Sequence, residues 1–147
     1  MRLVGKEKME RYMGIDYGVR RIGVALSDLL GVTAQPHSVI KRENLPKDIA
    51  RLKEIAVTNG VGRIILGFPY NMNGTEGSLA AEVRGFGTRI HEAFGIPVDY
   101  YDERLTTMEA DRMLIEQSDM SRERRKQVRD KIAAAIFLQA YLNSKSQ

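Results

Sequence analysis

Asp16 stands where a short apolar stretch, Tyr12-Met-Gly-Ile-Asp16, runs out, with Gly14 before it and Gly18 after it. An ionised carboxylate at the end of a buried strand needs a partner, because desolvating it alone costs several kcal/mol. A metal ion, a basic side chain or a donor-rich turn would serve. Glycine on both sides leaves room for a phosphate or a nucleic-acid backbone to come close. A hairpin whose aspartate only stabilises its own turn fits this stretch equally well.

Other acids occupy comparable positions. Asp102 and Glu103 close a later apolar segment, Gly95-Ile-Pro-Val-Asp-Tyr-Tyr101, and Asp130 lies in the last helical stretch. At 100° per residue Asp130 shares a helix face with Ala134, Phe137 and Tyr141. Carboxylates brought together repel one another and hold protons unless a cation balances them. Oxygen ligands without histidine or cysteine favour Mg²⁺ or Mn²⁺ over zinc. Two such ions side by side activate a water and stabilise the leaving oxygen in phosphodiester cleavage. The alternative is three unrelated surface acids, each paired with a nearby arginine; spacing alone does not bring them together.

Cationic residues flank every one of these acids. The run Arg122-Glu-Arg-Arg-Lys-Gln-Val-Arg129-Asp-Lys131 holds six Lys/Arg against two acids, a net +4 equal to that of the whole chain. On a helix it would line a phosphate-tracking groove toward Asp130, or simply form a solvated face. Arg20 and Arg21 follow Asp16, and Arg104 follows Glu103. The tip Asn71-Met-Asn-Gly74 offers amide and backbone donors, as many plain turns do.

The elements that must carry these residues read in order. Two strands around Gly18 are followed by a third, Thr33–Lys41, which Pro36 places near a sheet edge. Pro46 opens a helix with Ile49, Leu52, Ile55 and Ala56 on one face, stopped at Asn59-Gly60. Val61–Phe68 is a strand covered on both faces. A helix follows with Leu79, Val83, Phe86, Ile90 and Phe94 inward, weakened by Gly85 and Gly87. A strand over Gly95–Tyr101 is next, then a helix opened by a Thr106/Glu109 capping box with Met108, Met113 and Leu114 inward, and a last helix from Arg122 to Leu142. The expected fold is α/β: a mixed sheet that opens as a three-strand meander and continues with alternating helices and strands, helices on both faces.

With 147 residues, 43% hydrophobic and 29% charged, the chain is expected to form one domain over 12–143 behind a flexible extension, 1–11. No stretch has the length of a membrane span, and the charged leader is not a secretory signal. The absence of cysteine removes disulfides and thiolate metal sites and accords with a cytoplasmic protein. His37 and His91 have no metal-ligand spacing and read as surface residues. The +4 charge leans toward polyanionic partners.

Four motifs occur here in one order: Gly14-Ile-Asp16-Tyr-Gly18; Gly67-Phe-Pro69 with Asn71 and Gly74; Asp102-Glu-Arg-Leu-Thr-Thr107; and Asp130 with Ala133-Ala134 and Leu138-Gln139. Together they closely resemble the YqgF family, also called the RuvX type, of Holliday-junction-resolvase-like nucleases, from about Tyr12 to Leu142. The resemblance implies a ribonuclease H-like fold and a cytoplasmic role in 5′-end maturation of pre-16S rRNA, near ribosome-assembly intermediates. It places metal-binding, catalytic carboxylates at Asp16, Glu103 and Asp130, with the choice between Asp102 and Glu103 open, since strand neighbours point to opposite faces. Arg20, Asn71, Arg104, Thr106, Thr107, Arg125 and Arg129 become substrate-facing or bracing residues. The expected protein is a two-ion, Mg²⁺- or Mn²⁺-dependent nuclease of pre-rRNA, without membrane association and compatible with an oligomer. A junction-cleaving DNA endonuclease and a non-catalytic nucleic-acid-binding factor are the alternatives.

Overall fold

The computed structural model of the chain describes residues 10–104 and 121–145, with Gln127 and Asp130 described by their backbone. The helix expected after Thr106, with its inward Met108, Met113 and Leu114, lies outside the described residues.

Five strands form one mixed sheet: β1 (Arg11–Tyr17), β2 (Arg21–Ser27), β3 (Ala34–Lys41), β4 (Val61–Phe68) and β5 (Val98–Asp102), in the order β3-β2-β1-β4-β5. The first three make the expected antiparallel meander, with β3 and its Pro36 at an edge. β4 joins β1 in parallel and β5 joins β4 in parallel. Parallel strands end at the same side of a sheet, and the register Ile15↔Leu66 and Phe68↔Asp102 sets those ends level. Asp16, Gly67 and Asp102 therefore reach one margin, where open α/β sheets carry their sites.

Alternation decides what each face receives. Met13 and Ile15 of β1 and Ile64, Leu66 and Phe68 of β4 are fully buried beneath helices α1 (Leu45–Thr58) and α2 (Ser78–Phe94). Gly14, Asp16, Ile65 and Gly67 alternate with them and face helix α3 (Arg122–Lys145), the packing partner of the second, smaller core. β4 is thus covered on both sides, as its unbroken apolar run requires.

The helices start and stop where side-chain chemistry dictates. Asn44 caps α1 by accepting from the Lys47 amide at 3.0 Å, with a proline in the first turn, and Gly60 at φ 64° follows its end. Gly95, at φ 71°, terminates α2 with its amide bonded to the His91 carbonyl at 2.9 Å. β5 therefore begins at Val98, not at Gly95 as the sequence suggested: the left-handed conformation that glycine accepts makes it a helix stop. Gly87, expected only to weaken α2, lies where a Cβ would collide with the Tyr100 hydroxyl, so its bareness lets the helix close on β5.

α3 crosses β1 at very short range. A Cβ on Gly14 would lie 3.1 Å from the Ala134 carbonyl and 3.1 Å from Leu138 Cβ, so a bare strand position meets the helix's alanine run. The Tyr12 ring lies tilted against that of Tyr141, centroids 6.0 Å apart, while Gly14 meets Ala134 and Leu138. Moving along β1 toward Asp16 therefore means moving backward along α3. Position 130, one turn before Ala134 or about 6 Å along the axis, falls on the Asp16 side of that contact.

Candidate active site

β1 and β5 are not neighbours; β4 lies between them. With strands spaced about 4.8 Å, side chains from β1 and from the end of β5 meet only by reaching across β4. Gly67 makes this possible. A Cβ there would stand 2.6 Å from Glu103 Oε2 and 2.8 Å from the Phe137 ring. Glu103 lies over the bare backbone of Gly67 and hydrogen-bonds to Asp16. Its own amide donates to the Phe68 carbonyl at 3.3 Å, which fixes where the side chain departs.

Burial pushes the Glu103 carboxyl above its ordinary value, and the nearby charge of Asp102 adds to the rise, against the hydrogen bond from Asp16. A hydrogen bond between two carboxyl groups needs a shared proton. A divalent cation in that proton's place would satisfy both oxygens and relieve the repulsion. The donor set is all oxygen, on a rigid strand end, and suits a hard ion such as Mg²⁺ or Mn²⁺. Among the described residues no three acids or histidines form a complete metal cluster. Asp130 sits on α3 with its backbone on the Asp16 side, and its side chain lies outside the described residues.

Asp102 takes the opposite direction. Arg104 grips it, with Nη2 at 2.6 Å from Oδ2 and Nε at 3.0 and 3.1 Å from the two oxygens. That arginine, first through its hydrogen bonds, holds the Asp102 carboxyl below its ordinary value. Of the adjacent acids it is Glu103 that lies with Asp16. Arg104 also donates to the carbonyls of Asn71 and Met72 at 3.0 and 3.3 Å. Asn71 in turn bonds Thr75 through its side chain at 3.0 Å and its amide at 2.8 Å. In this arrangement Arg104 and Asn71 brace the loop after β4. Thr106 and Thr107 lie outside the described residues.

In front of Asp16 opens a cavity of about 230 Å³, lined by Gly18, Val19, Arg20, Arg21 and Lys126. Gly18 is constrained here, since a Cβ would collide with the Arg21 carbonyl and spoil the tight turn that presents both arginines. Lys126 was not singled out by the sequence, although it precedes Asp130 by one helical turn and so shares its side of α3. Arg125 has a buried Nε without a hydrogen-bond partner among the described residues, and Arg129 is exposed on the same helix. His37 and His91 are surface residues, bonded to Ser38 and to the Ile96 carbonyl.

Comparison with known proteins follows the same lines. The model of the family described as RuvX, Holliday junction resolvase, matches residues 10–144. A protein of Endomicrobium trichonymphae is 50% identical over 138 residues, 94% of this chain and 99% of its own length. One from Thermoanaerobacter pseudethanolicus is 52% identical over 134 residues, 91% and 96% of the two lengths. Both are provisionally named pre-16S rRNA nucleases. Among solved structures, Thermus thermophilus RuvC in complex with a Holliday junction substrate superimposes with a TM-score of 0.59 at 14% identity, over 93% of this chain and 96% of RuvC. That likeness concerns the fold, which is ribonuclease H-like.

Proposed function

The chain belongs to the RuvX family of nucleases, and on that premise we propose that it hydrolyses phosphodiester bonds with the help of Mg²⁺ or Mn²⁺, acting on the 5′ end of precursor 16S rRNA. The observation that carries the metal reading is the Asp16–Glu103 carboxyl pair meeting over Gly67. The substrate reading is supported by the names of the relatives that are about half identical over nearly the whole chain.

Asp16 and Glu103, joined by Asp130, would hold the ions. Bound there, the ions supply polarisation of the attacking water and neutralise charge on the leaving oxygen. The protein's own part is placement. Glu103 is half-buried over Gly67 and its backbone is fixed through its amide, so its oxygens need little reorganisation on substrate arrival. Arg20, Arg21 and Lys126 surround the cavity before Asp16 and offer three positive charges to the backbone of an incoming strand. Hydrolysis forms a new P–O bond from water and breaks the bond from phosphorus to the 3′ oxygen, leaving a 5′-phosphate and a 3′-hydroxyl. Among the described residues no helix is long and apolar enough to cross a membrane. A substrate of precursor rRNA, as the relatives' names have it, would put the protein in the cytoplasm beside assembling ribosomes.

The deciding experiment compares three substrates with Mg²⁺ or Mn²⁺: a short precursor rRNA, the same sequence as DNA, and a four-way DNA junction. Preferred cutting of the rRNA that disappears in Asp16→Asn is the expected result. Preferred cutting of the junction would keep the carboxylate chemistry and replace the substrate. A 2′,3′-cyclic phosphate product would overturn the hydrolytic route.

A further inference from the structure

Beside the cavity of Asp16 lies a larger groove of about 1050 Å³, and Val19, Arg20 and Arg21 line both. Its walls come from both layers of the fold: from α3 on one face of the sheet, and from the β3–α1 connection and α2 on the other. It therefore wraps the end of the sheet, starting at the turn after Asp16. Nothing in the placement of the acids calls for such a groove.

Its charge is unevenly compensated. Arg20, Lys41, Arg124 and Lys131 line it, and none of the four makes an ion pair among the described residues. Of the acids on its walls, Asp48 is fully buried and held by Arg42 at 3.1 Å, while Glu43 faces Lys47 and Arg51 of α1 at 3.7 and 3.4 Å. Glu82 and Glu123 remain, so the lining favours an anion. The floor is rigid as well. The Arg42 guanidinium lies 4.6 Å above the Tyr17 ring and donates to the Gly18 carbonyl at 3.1 Å, and Tyr17 is backed by Phe86 at 4.8 Å.

We propose that this groove binds a single-stranded flank of the substrate RNA, a few nucleotides lying to one side of the cut, with their phosphates along Arg20, Lys41, Arg124 and Lys131. The proposal rests on the nuclease reading and adds to it a substrate form: the cut falls next to unpaired RNA. Two features favour a single strand. The space is at the top of the range of about 300–1,000 Å³ that encloses a drug-sized ligand, which accommodates a few nucleotides and not the width of a duplex. Walls rising from both faces of the sheet would also exclude a duplex, whereas unpaired strands follow narrow basic grooves. The shared lip at Arg20 makes the path from the acids into the groove continuous.

The test uses the full chain and the double variant Lys41→Ala/Lys131→Ala, both residues being exposed. Two RNAs contain the same cleavage-site segment, one with a single-stranded flank of several nucleotides and one trimmed of it. Binding is measured by fluorescence anisotropy across a salt series in chelator, and cleavage separately with Mn²⁺. Two lost phosphate contacts should lower the salt slope by about 1.4 and weaken flanked RNA roughly tenfold near physiological salt. The KM for the flanked RNA should rise in step while its kcat and the trimmed RNA's behaviour hold. Equal weakening of both RNAs, or of neither, overturns the groove assignment even if cleavage is robust. If neither RNA is cut but the flank effect on binding appears, the groove stands and the nuclease reading falls.

Discussion

Glu103 occupies the space that a side chain on Gly67 would need: an added Cβ would lie 2.6 Å from its Oε2. A glycine inside an apolar strand is thus the reason acids from β1 and from beyond β5 can meet across the strand that separates them. Gly67→Ala should lose activity out of proportion to stability. Overpacking against Phe137 costs about 1–3 kcal/mol, readable by urea unfolding, while displaced Glu103 oxygens should remove most metal-dependent cleavage. A variant that is destabilised but cuts normally would show that Glu103 need not lie there.

The same burial makes Glu103 a liability without a cation. Its carboxyl titrates above the ordinary value of 4.5 because of burial and the charge of Asp102. Below pH 4.5 it is protonated folded or unfolded, and its titration has no effect on stability. As pH rises from there through its folded value, the unfolded chain ionises first and stability falls, levelling once the folded group has ionised. Glu103→Gln removes that decline. In chelator near neutral pH the variant should melt higher than wild type, and Mg²⁺ or Mn²⁺ should raise the melting temperature of wild type alone. Melting curves from pH 4 to 8, with and without ion, measure both effects.

Arg104 is tied to Asp102 and to two carbonyls of the loop after β4. The pair is open to solvent, which screens it, so Arg104→Ala should lower global stability only slightly. The sharper effect should be local. Met72 at the tip is already 93% exposed, and limited proteolysis should cut there faster once the carbonyls are released. An unchanged cleavage rate would mean that Asn71 and Thr75 hold the loop without the arginine.

How much of this was legible in the sequence depends on the range of the forces involved. The strand–turn–strand around Asp16, the edge strand with Pro36 and the doubly covered β4 follow from local alternation and turn chemistry, and all three stand in the structure. Gly95 misled because glycine before Ile-Pro fits a strand entry as well as a helix stop, and only the bond to the His91 carbonyl distinguishes them. Gly67 and Gly87 carried no local signal, since what they admit, Glu103 and the Tyr100 ring, arrives from distant segments. The choice between Asp102 and Glu103 needed the phase of β5, which the sequence leaves ambiguous by one residue. Asp48, in the first turn of α1, drew no attention in the sequence and is fully buried beside Arg42.

That buried carboxylate predicts a stability defect distinct from any defect in chemistry. Asp48 accepts from Arg42 Nε and from the Glu43 amide, both at 3.1 Å, and Arg42 reaches on to the Gly18 carbonyl. Removing one partner of a buried pair costs about 3–5 kcal/mol. Arg42 keeps 19% side-chain exposure, so about 2–4 kcal/mol is expected for Asp48→Ala by urea unfolding. Below its unfolding midpoint the variant should keep kcat while losing affinity for substrate, since the turn carrying Arg20 is held through Gly18.

The two neighbouring acids should part company most clearly in cleavage. Asp16→Asn and Glu103→Gln each remove a charge from the meeting point over Gly67, and each should lower kcat by roughly 10²–10³-fold, the scale of losing one charge-stabilising group. The double variant should be little worse than either single one, because groups that act as a unit are not additive. Asp102→Asn, one residue from Glu103 but turned toward Arg104, should keep most of its kcat and melt lower, with its stability loss vanishing as pH falls. The sign follows from its depressed titration: the ionised pair stabilises the fold above the unfolded value and is lost as pH drops through the folded one. If Asp102→Asn instead abolished cleavage while Glu103→Gln spared it, the wrong carboxylate would have been assigned to the metal-facing side of the sheet.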